Sequence, residues 1–268
     1  MFAPAFECSA YTLSGGTLDE EGTLTTTAKV ATLRSGNLSL SNLTLNAGAS
    51  LSVEGSSSLQ LDSLLMNGGS LFIKGKSDQR VFNLTISSGC TFNANGPAGN
   101  NEFKVQNNLE LLPDSTLIVN SYGGEFVFTN IVGSGGLINI VPGGVLNGDR
   151  NDRDYGAPIS GHTIRLKGGT IKDADISPEA VLNLGAPSAS GVATVTLDDV
   201  RSLGTTNLLQ PVNLAVTFEK EDGITYSRLA LLNEITGPFS LTKSGIGSLA
   251  VAKPSPDFSG DIVITGGT

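Results

Sequence analysis

The sequence has no tryptophan, a single histidine, two cysteines and two methionines among its 268 residues. Each shortage removes a class of chemistry. With one histidine, any Ser/His/Asp or Cys/His mechanism hangs on His162 alone. Two cysteines, Cys8 and Cys90, build neither a disulfide framework nor a zinc cluster. Charged residues make up 15% of the chain, against about 25% in ordinary soluble domains. The balance is acidic, with a formal charge of −9 and no basic run longer than a residue or two. That excludes the electrostatic footprint needed for nucleic acid or an anionic membrane surface. No stretch approaches the ~18–20 apolar residues that span a bilayer, so direct membrane insertion by this segment is excluded as well. The opening Met1-Phe2-Ala3-Pro4-Ala5-Phe6 is apolar but lacks a basic leader and a long core, and reads as something other than a signal peptide.

What is present favours a turn-rich β protein. Hydrophobic residues make up 39%, enough for a real core and against wholesale disorder. Glycine is abundant at 34 residues beside 11 prolines, with no three-residue period that would signal collagen. Apolar residues recur at spacing two, as in Leu38-Ser39-Leu40, Leu43-Thr44-Leu45, Leu51-Ser52-Val53 and Leu71-Phe72-Ile73. Spacing two is strand spacing, because successive side chains point to opposite faces. Gly-Gly, Gly-Ser and Asn-Gly turns separate these runs, and no stretch keeps the 3–4 residue spacing of an amphipathic helix.

The strands hold a longer register of about 22 residues. One series runs Leu38/Leu40, Leu59/Leu61, Phe82/Leu84, Phe103/Val105 and Phe126/Phe128. A second runs Leu43/Leu45, Leu64/Met66, Ile86, Leu109/Leu111 and Ile131; a third runs Leu51/Val53, Leu71/Ile73, Phe92, Leu117/Val119 and Leu137. Later strands, including Ile164/Leu166, Leu182/Leu184, Val195/Leu197 and Leu214/Val216, keep the style with looser spacing. Three interleaved series predict an all-β, right-handed, single-stranded parallel β-helix: a three-sided solenoid in which each coil stacks on the last at about 4.8 Å. An antiparallel sandwich is the competing architecture, disfavoured because inward residue types stay matched across consecutive repeats. No polar linker interrupts residues 1–268, which read as one domain: irregular coils over 1–236 and a distinct repeat over 237–268.

That last stretch carries a resemblance. Leu241, Lys243, Gly245, Gly247, Leu249 and Val251, followed by Phe258, Gly260, Ile262, Ile264, Gly267 and Thr268, resemble the passenger-associated β-strand repeat of bacterial autotransporters. That repeat has a Leu-x-Lys-x-Gly-x-Gly-x-Leu-x-Leu half, a bulge and an aromatic-x-Gly half. Lys253 and Pro254 depart from its usual bulge, and Phe258 stands where tyrosine is commoner. The resemblance implies an exported β-helix on a bacterial surface, extracellular, and a piece of a longer chain with a membrane barrel elsewhere.

The densest polar cluster is Asp149, Arg150, Asn151, Asp152, Arg153, Asp154 and Tyr155. Its carboxylates suggest calcium, yet Arg150 and Arg153 break the Asp-x-Asp-x-Asp-Gly order and oppose a cation. It reads as a projecting solvated loop and as the candidate recognition surface. Gly161-His162, Arg165-Leu166-Lys167 and Asp198-Asp199 resemble pieces of the set used by galacturonan hydrolases of this fold, but in the wrong order and without the second glycine after the histidine. Glu219-Lys220-Glu221-Asp222-Gly223, between Val216-Thr217-Phe218 and Ile224-Thr225-Tyr226, predicts a β-hairpin tip. Asn37, Asn42 and Asn83 open formal glycosylation sequons and read instead as turn asparagines. No catalytic constellation, metal site or cofactor is expected. The function expected is a non-enzymatic structural or adhesive surface rod whose partner is a host receptor, matrix or glycan. The alternatives are a β-helix polysaccharide lyase or glycoside hydrolase, and a filament subunit self-associating through the ends of the helix.

Overall fold

A computed structural model describes residues 11–26, 31–56, 58–73, 77–96, 102–121, 124–148, 157–217, 220–221, 224–225 and 229–268. The described residues contain strands and turns and no α-helix. The described strands stack in parallel ladders, as a β-solenoid requires. The chain divides into two compact units, Met1–Leu137 and Ile138–Thr268.

In the first unit three ladders stack coil on coil. The first aligns Leu33 with Val53 and Val53 with Ile73, then Phe92 with Leu117. The second aligns Leu40, Leu61, Val81, Val105 and Phe128. The third aligns Leu43, Leu64, Leu84, Leu109 and Ile131. Every third-ladder side chain in that row is buried, so the column is continuous and dry. The second ladder also stacks rings: Phe103 lies on Phe126 at 5.4 Å and 12°, and Phe92 meets Phe103 at 5.9 Å and 59°.

The register corrects the sequence series in two places. Phe82/Leu84 is not one rung. Gln79 pairs with Phe103 and Val81 with Val105, while Leu84 belongs to the third ladder. Phe82 therefore points outward and is 48% exposed, since a one-residue slip reverses every side chain. Gln79 takes the inward place because its amide acts as backbone: Oε1 accepts from the Leu59 amide at 2.6 Å and Nε2 donates to the Ser77 carbonyl at 2.6 Å. Leu137 is likewise only half-buried, and Ile138 and Ile140 are the buried residues of that strand.

The second unit repeats the plan with aliphatic residues. Its first ladder aligns Leu166, Leu184 and Leu208. Its second aligns Leu146, Ile171, Leu197 and Val216. Its third aligns Ala157, Ala174, Val200, Ala230 and Leu249. An antiparallel ladder forms the hairpin expected from the sequence, Lys220–Glu221 against Ile224–Thr225. No helix among the described residues is long and apolar enough to cross a membrane.

Candidate functional site

The candidate site lies where the second ladder of the second unit passes into the third. Four successive coils make this corner. In the two inner coils the crossing takes two residues, Lys172-Asp173 and Asp198-Asp199, between the buried Ile171 and Ala174 and the buried Leu197 and Val200. Asp173 and Asp199 turn the chain with left-handed backbones, at φ 47° and 54°. Aspartate is among the few non-glycine residues that take this conformation at modest cost. In the two outer coils the same corner carries an insertion. Residues 149–156 follow Gly148 and return at Ala157; residues 218–228 follow Thr217 and return at Leu229. At ~4.8 Å per coil the two insertions leave the ladder about 14 Å apart, one on each side of the aspartate corners.

Between them lies a charged floor. Register places Asn147 beside Lys172 and Lys172 beside Asp198, so opposite charges face each other across the rung. Past the corner, Asp175 pairs with Arg201 in register, and the guanidinium grips the carboxylate with two bonds, Nε to Oδ1 at 3.0 Å and Nη2 to Oδ2. Asp198 is only 7% exposed, while Asp173 and Asp199 are half-buried. Gly148 closes the edge of the corner, where a β-carbon would overlap the Asp173 carbonyl oxygen. This floor is built to orient polar groups, with four carboxylates against two cations. Among the described residues no three His, Cys, Asp or Glu side chains converge to hold a metal ion.

The residues singled out from the sequence fall as follows. Asp149 to Tyr155 lie outside the described residues, as do Cys8, Asp222 and Gly223. The galacturonan-hydrolase-like set is not brought together. His162 is 2% exposed, and its carbonyl accepts the Val181 amide at 3.1 Å at the start of a first-ladder rung. Arg165 stands on that ladder opposite Asn183. Asp198 and Asp199 stand on the second ladder and its corner, on a different side of the coil. Cys90 is a free, half-buried thiol. Sequence reasoning missed Lys172, Asp173, Asp175 and Arg201. Their only signal was alternation: Lys172 and Asp175 fall at positions between buried residues of the strand Gly169–Ile176. No protein-family model matches this chain, and no curated protein or solved structure matches it significantly.

Proposed function

We propose that this chain is a non-enzymatic structural and adhesive β-helix from a bacterial surface or secreted autotransporter-like protein, acting outside the cell. Its task is to present the insertion-bearing corner of the second unit to a host receptor, matrix component or glycan. The observation that carries this reading is the placement of both charged insertions at one corner, flanking the Lys172-Asp173 and Asp198-Asp199 turns. A repetitive scaffold that departs from its repeat twice on the same edge is organised for display from that edge. The partner it fits is polar and hydrogen-bonding, engaged by mixed charges rather than by an apolar anchor.

The test removes each insertion whole, 149–156 with Gly148→Asp and 218–228 with Leu229→Asp, so that each outer corner copies the inner ones. Removing 149–156, 218–228 or both is expected to abolish binding to a panel of immobilised glycans and matrix proteins while leaving the far-ultraviolet dichroism of a β protein intact. Alanine at Asp149, Asp152 and Asp154 is expected to give a partial loss. Binding that survives both shortenings would take the corner out of consideration. Cleavage of acidic polysaccharide by the intact chain, lost in D198N or D199N, would replace adhesion with a lyase or hydrolase reading.

A further inference from the structure

The C-terminal repeat puts a lysine where alternation asks for an aliphatic side chain. In the strand Leu241–Ser244, Leu241 and Lys243 face inward, and Lys243 is fully buried at 0% exposure. Register stacks it between Leu214 of the coil before and Ile264 of the coil after, with Val195 beyond Leu214. An ammonium in such a column is costly unless all three of its protons are taken. Here all three are taken. Nζ donates to the carbonyl oxygens of Gly245 at 2.9 Å, of Gly266 at 2.5 Å, and of Gly247.

The acceptors come from two successive coils. Gly245 and Gly247 lie in the bend that follows the lysine's own strand, and Gly266 lies in the coil stacked above it. Glycine is required by the crowding. At Gly245, φ +75°, a β-carbon would overlap the Val216 carbonyl oxygen; at Gly267, φ +65°, it would run into both the Gly247 oxygen and Nζ. The two strands paired with the lysine's own, Val212–Val216 and Ile262–Ile264, contain no titratable side chain. Among the described residues three backbone carbonyls face the charge, and burial holds the Lys243 pKa below the ordinary lysine value.

The geometry points to a monovalent-cation site formed by the carbonyl oxygens of Gly245, Gly247 and Gly266, filled by the chain's own Lys243 ammonium, which clamps the final coil onto the one before it. The chemical class is that of ammonium and potassium, ions that exchange a hydration shell for carbonyl oxygens. The clamp adds to three backbone bonds between the same coils: the Leu241 amide to the Asp261 carbonyl at 2.8 Å, the Thr265 amide to the Lys243 carbonyl at 2.8 Å, and the Leu249 amide to the Thr268 carbonyl at 2.7 Å. Remove the ammonium and three inward acceptors lose their donor together.

Hydrogen exchange at the Leu249 and Thr265 amides reads the clamp directly, in the full chain. Lys243→Ala and Lys243→Met are both expected to lower protection there by about tenfold or more. Ammonium or potassium chloride should restore protection in K243A, whose shortened side chain leaves room for an ion; tetramethylammonium chloride should not. K243M, whose stem fills that room, should stay unprotected in every salt. Gly267→Ala, which keeps the lysine and crowds the cage, should loosen the same two amides. The proposal is overturned if K243M is as protected as the unaltered chain, since packing alone would then explain the lysine. It is also overturned if K243A is restored by no salt or by all three equally, or if G267A leaves both amides unchanged.

Discussion

The second-to-third-ladder corner is solved differently in the two units, and the difference explains where insertions can go. In the first unit the corner is an amide ladder. The Asn107 side-chain amide donates to the Asn83 oxygen at 2.8 Å, and Asn130 donates to Asn108 at 2.9 Å. Asn83 itself donates to the Asp62 carbonyl at 3.3 Å. Each of these residues depends on the coil beside it, and where the coil Val105–Leu109 carries one extra residue at the corner, Asn107 serves the coil on one side and Asn108 the coil on the other. In the second unit Asp173 and Asp199 turn through their own left-handed backbones. A bend made by one residue's own backbone conformation asks less of the adjacent coil than a shared amide ladder does. That coil is then free to carry eight extra residues, as at 149–156, without orphaning its neighbour.

The units also differ in filling, and the largest expected effect tests that. The first unit stacks Phe103 between Gln79 and Phe126 on its second ladder, whereas the corresponding inward positions of the second unit include Val195 and Leu214. Phe103 is 1% exposed and touches two other rings. Phe103→Ala should cost about 3–5 kcal/mol in urea unfolding. A loss below about 1 kcal/mol would mean that the aromatic stack is filling rather than support.

Next in size come the corners. Asp199→Val forces a β-branched residue to φ 54° and should cost about 1–3 kcal/mol, while Asp199→Gly should be close to neutral. Asn108→Ala should cost about 0.5–1.5 kcal/mol by taking the acceptor from Asn130. A double-mutant cycle sharpens the contrast. Asn108 and Asn130 should show coupling, whereas Asp173→Gly and Asp199→Gly should add to within about 0.5 kcal/mol. Equal coupling at both corners would remove the distinction between a shared ladder and a self-contained turn. Smaller still is the Arg201–Asp175 pair, whose side chains are 32% and 19% exposed. Its cycle should yield about 0.2–1 kcal/mol and shrink as salt rises.

Much of this plan is legible in the amino-acid order, and the misses have physical causes. Spacing-two alternation and the ~22-residue register locate the third ladder of the first unit through Leu43, Leu64, Leu109 and Ile131. The charged hairpin around Asp222-Gly223 announces itself by its turn residues, and strands pair on either side of it. Asn83, read as a turn asparagine, stands at the corner of its ladder. Register fails where polarity misleads. Phe82 looks like core and Gln79 like surface, yet backbone-like bonding lets the glutamine turn inward and leaves the ring outside. Lys243 fails for the same reason: its spacing from Leu241 marks an inward position, but composition alone cannot show that three carbonyls await it. The corner floor was hidden more deeply, because Lys172 and Arg201 meet their carboxylates only through a register across some 26 residues.

The smallest effect expected belongs to Glu179, an exposed carboxylate of the second unit. The Ser177 hydroxyl, its own backbone amide and the Ser160 hydroxyl at 3.5 Å stabilise its charged form and hold its pKa below 4.5, against a small opposing push from burial. A depressed carboxyl pKa contributes stability that is present above the unfolded value, near 4.5, and lost as pH falls through the folded value. Carboxyl-resolved NMR titration should therefore find the Glu179 midpoint below 4.5, and Ser177→Ala should raise it more than Ser160→Ala does. A midpoint unmoved by S177A would leave Glu179 an ordinary solvated acid. The turn Ser177-Pro178-Glu179 would then be shaped only by its backbone, in which the Ala180 amide reaches back to the Ser177 carbonyl at 3.1 Å. That would extend to this turn the rule of the aspartate corners, that a bend is set by its own backbone, in contrast to the bend at Ala186, whose amide donates to the Gln210 side chain of the next coil at 2.8 Å.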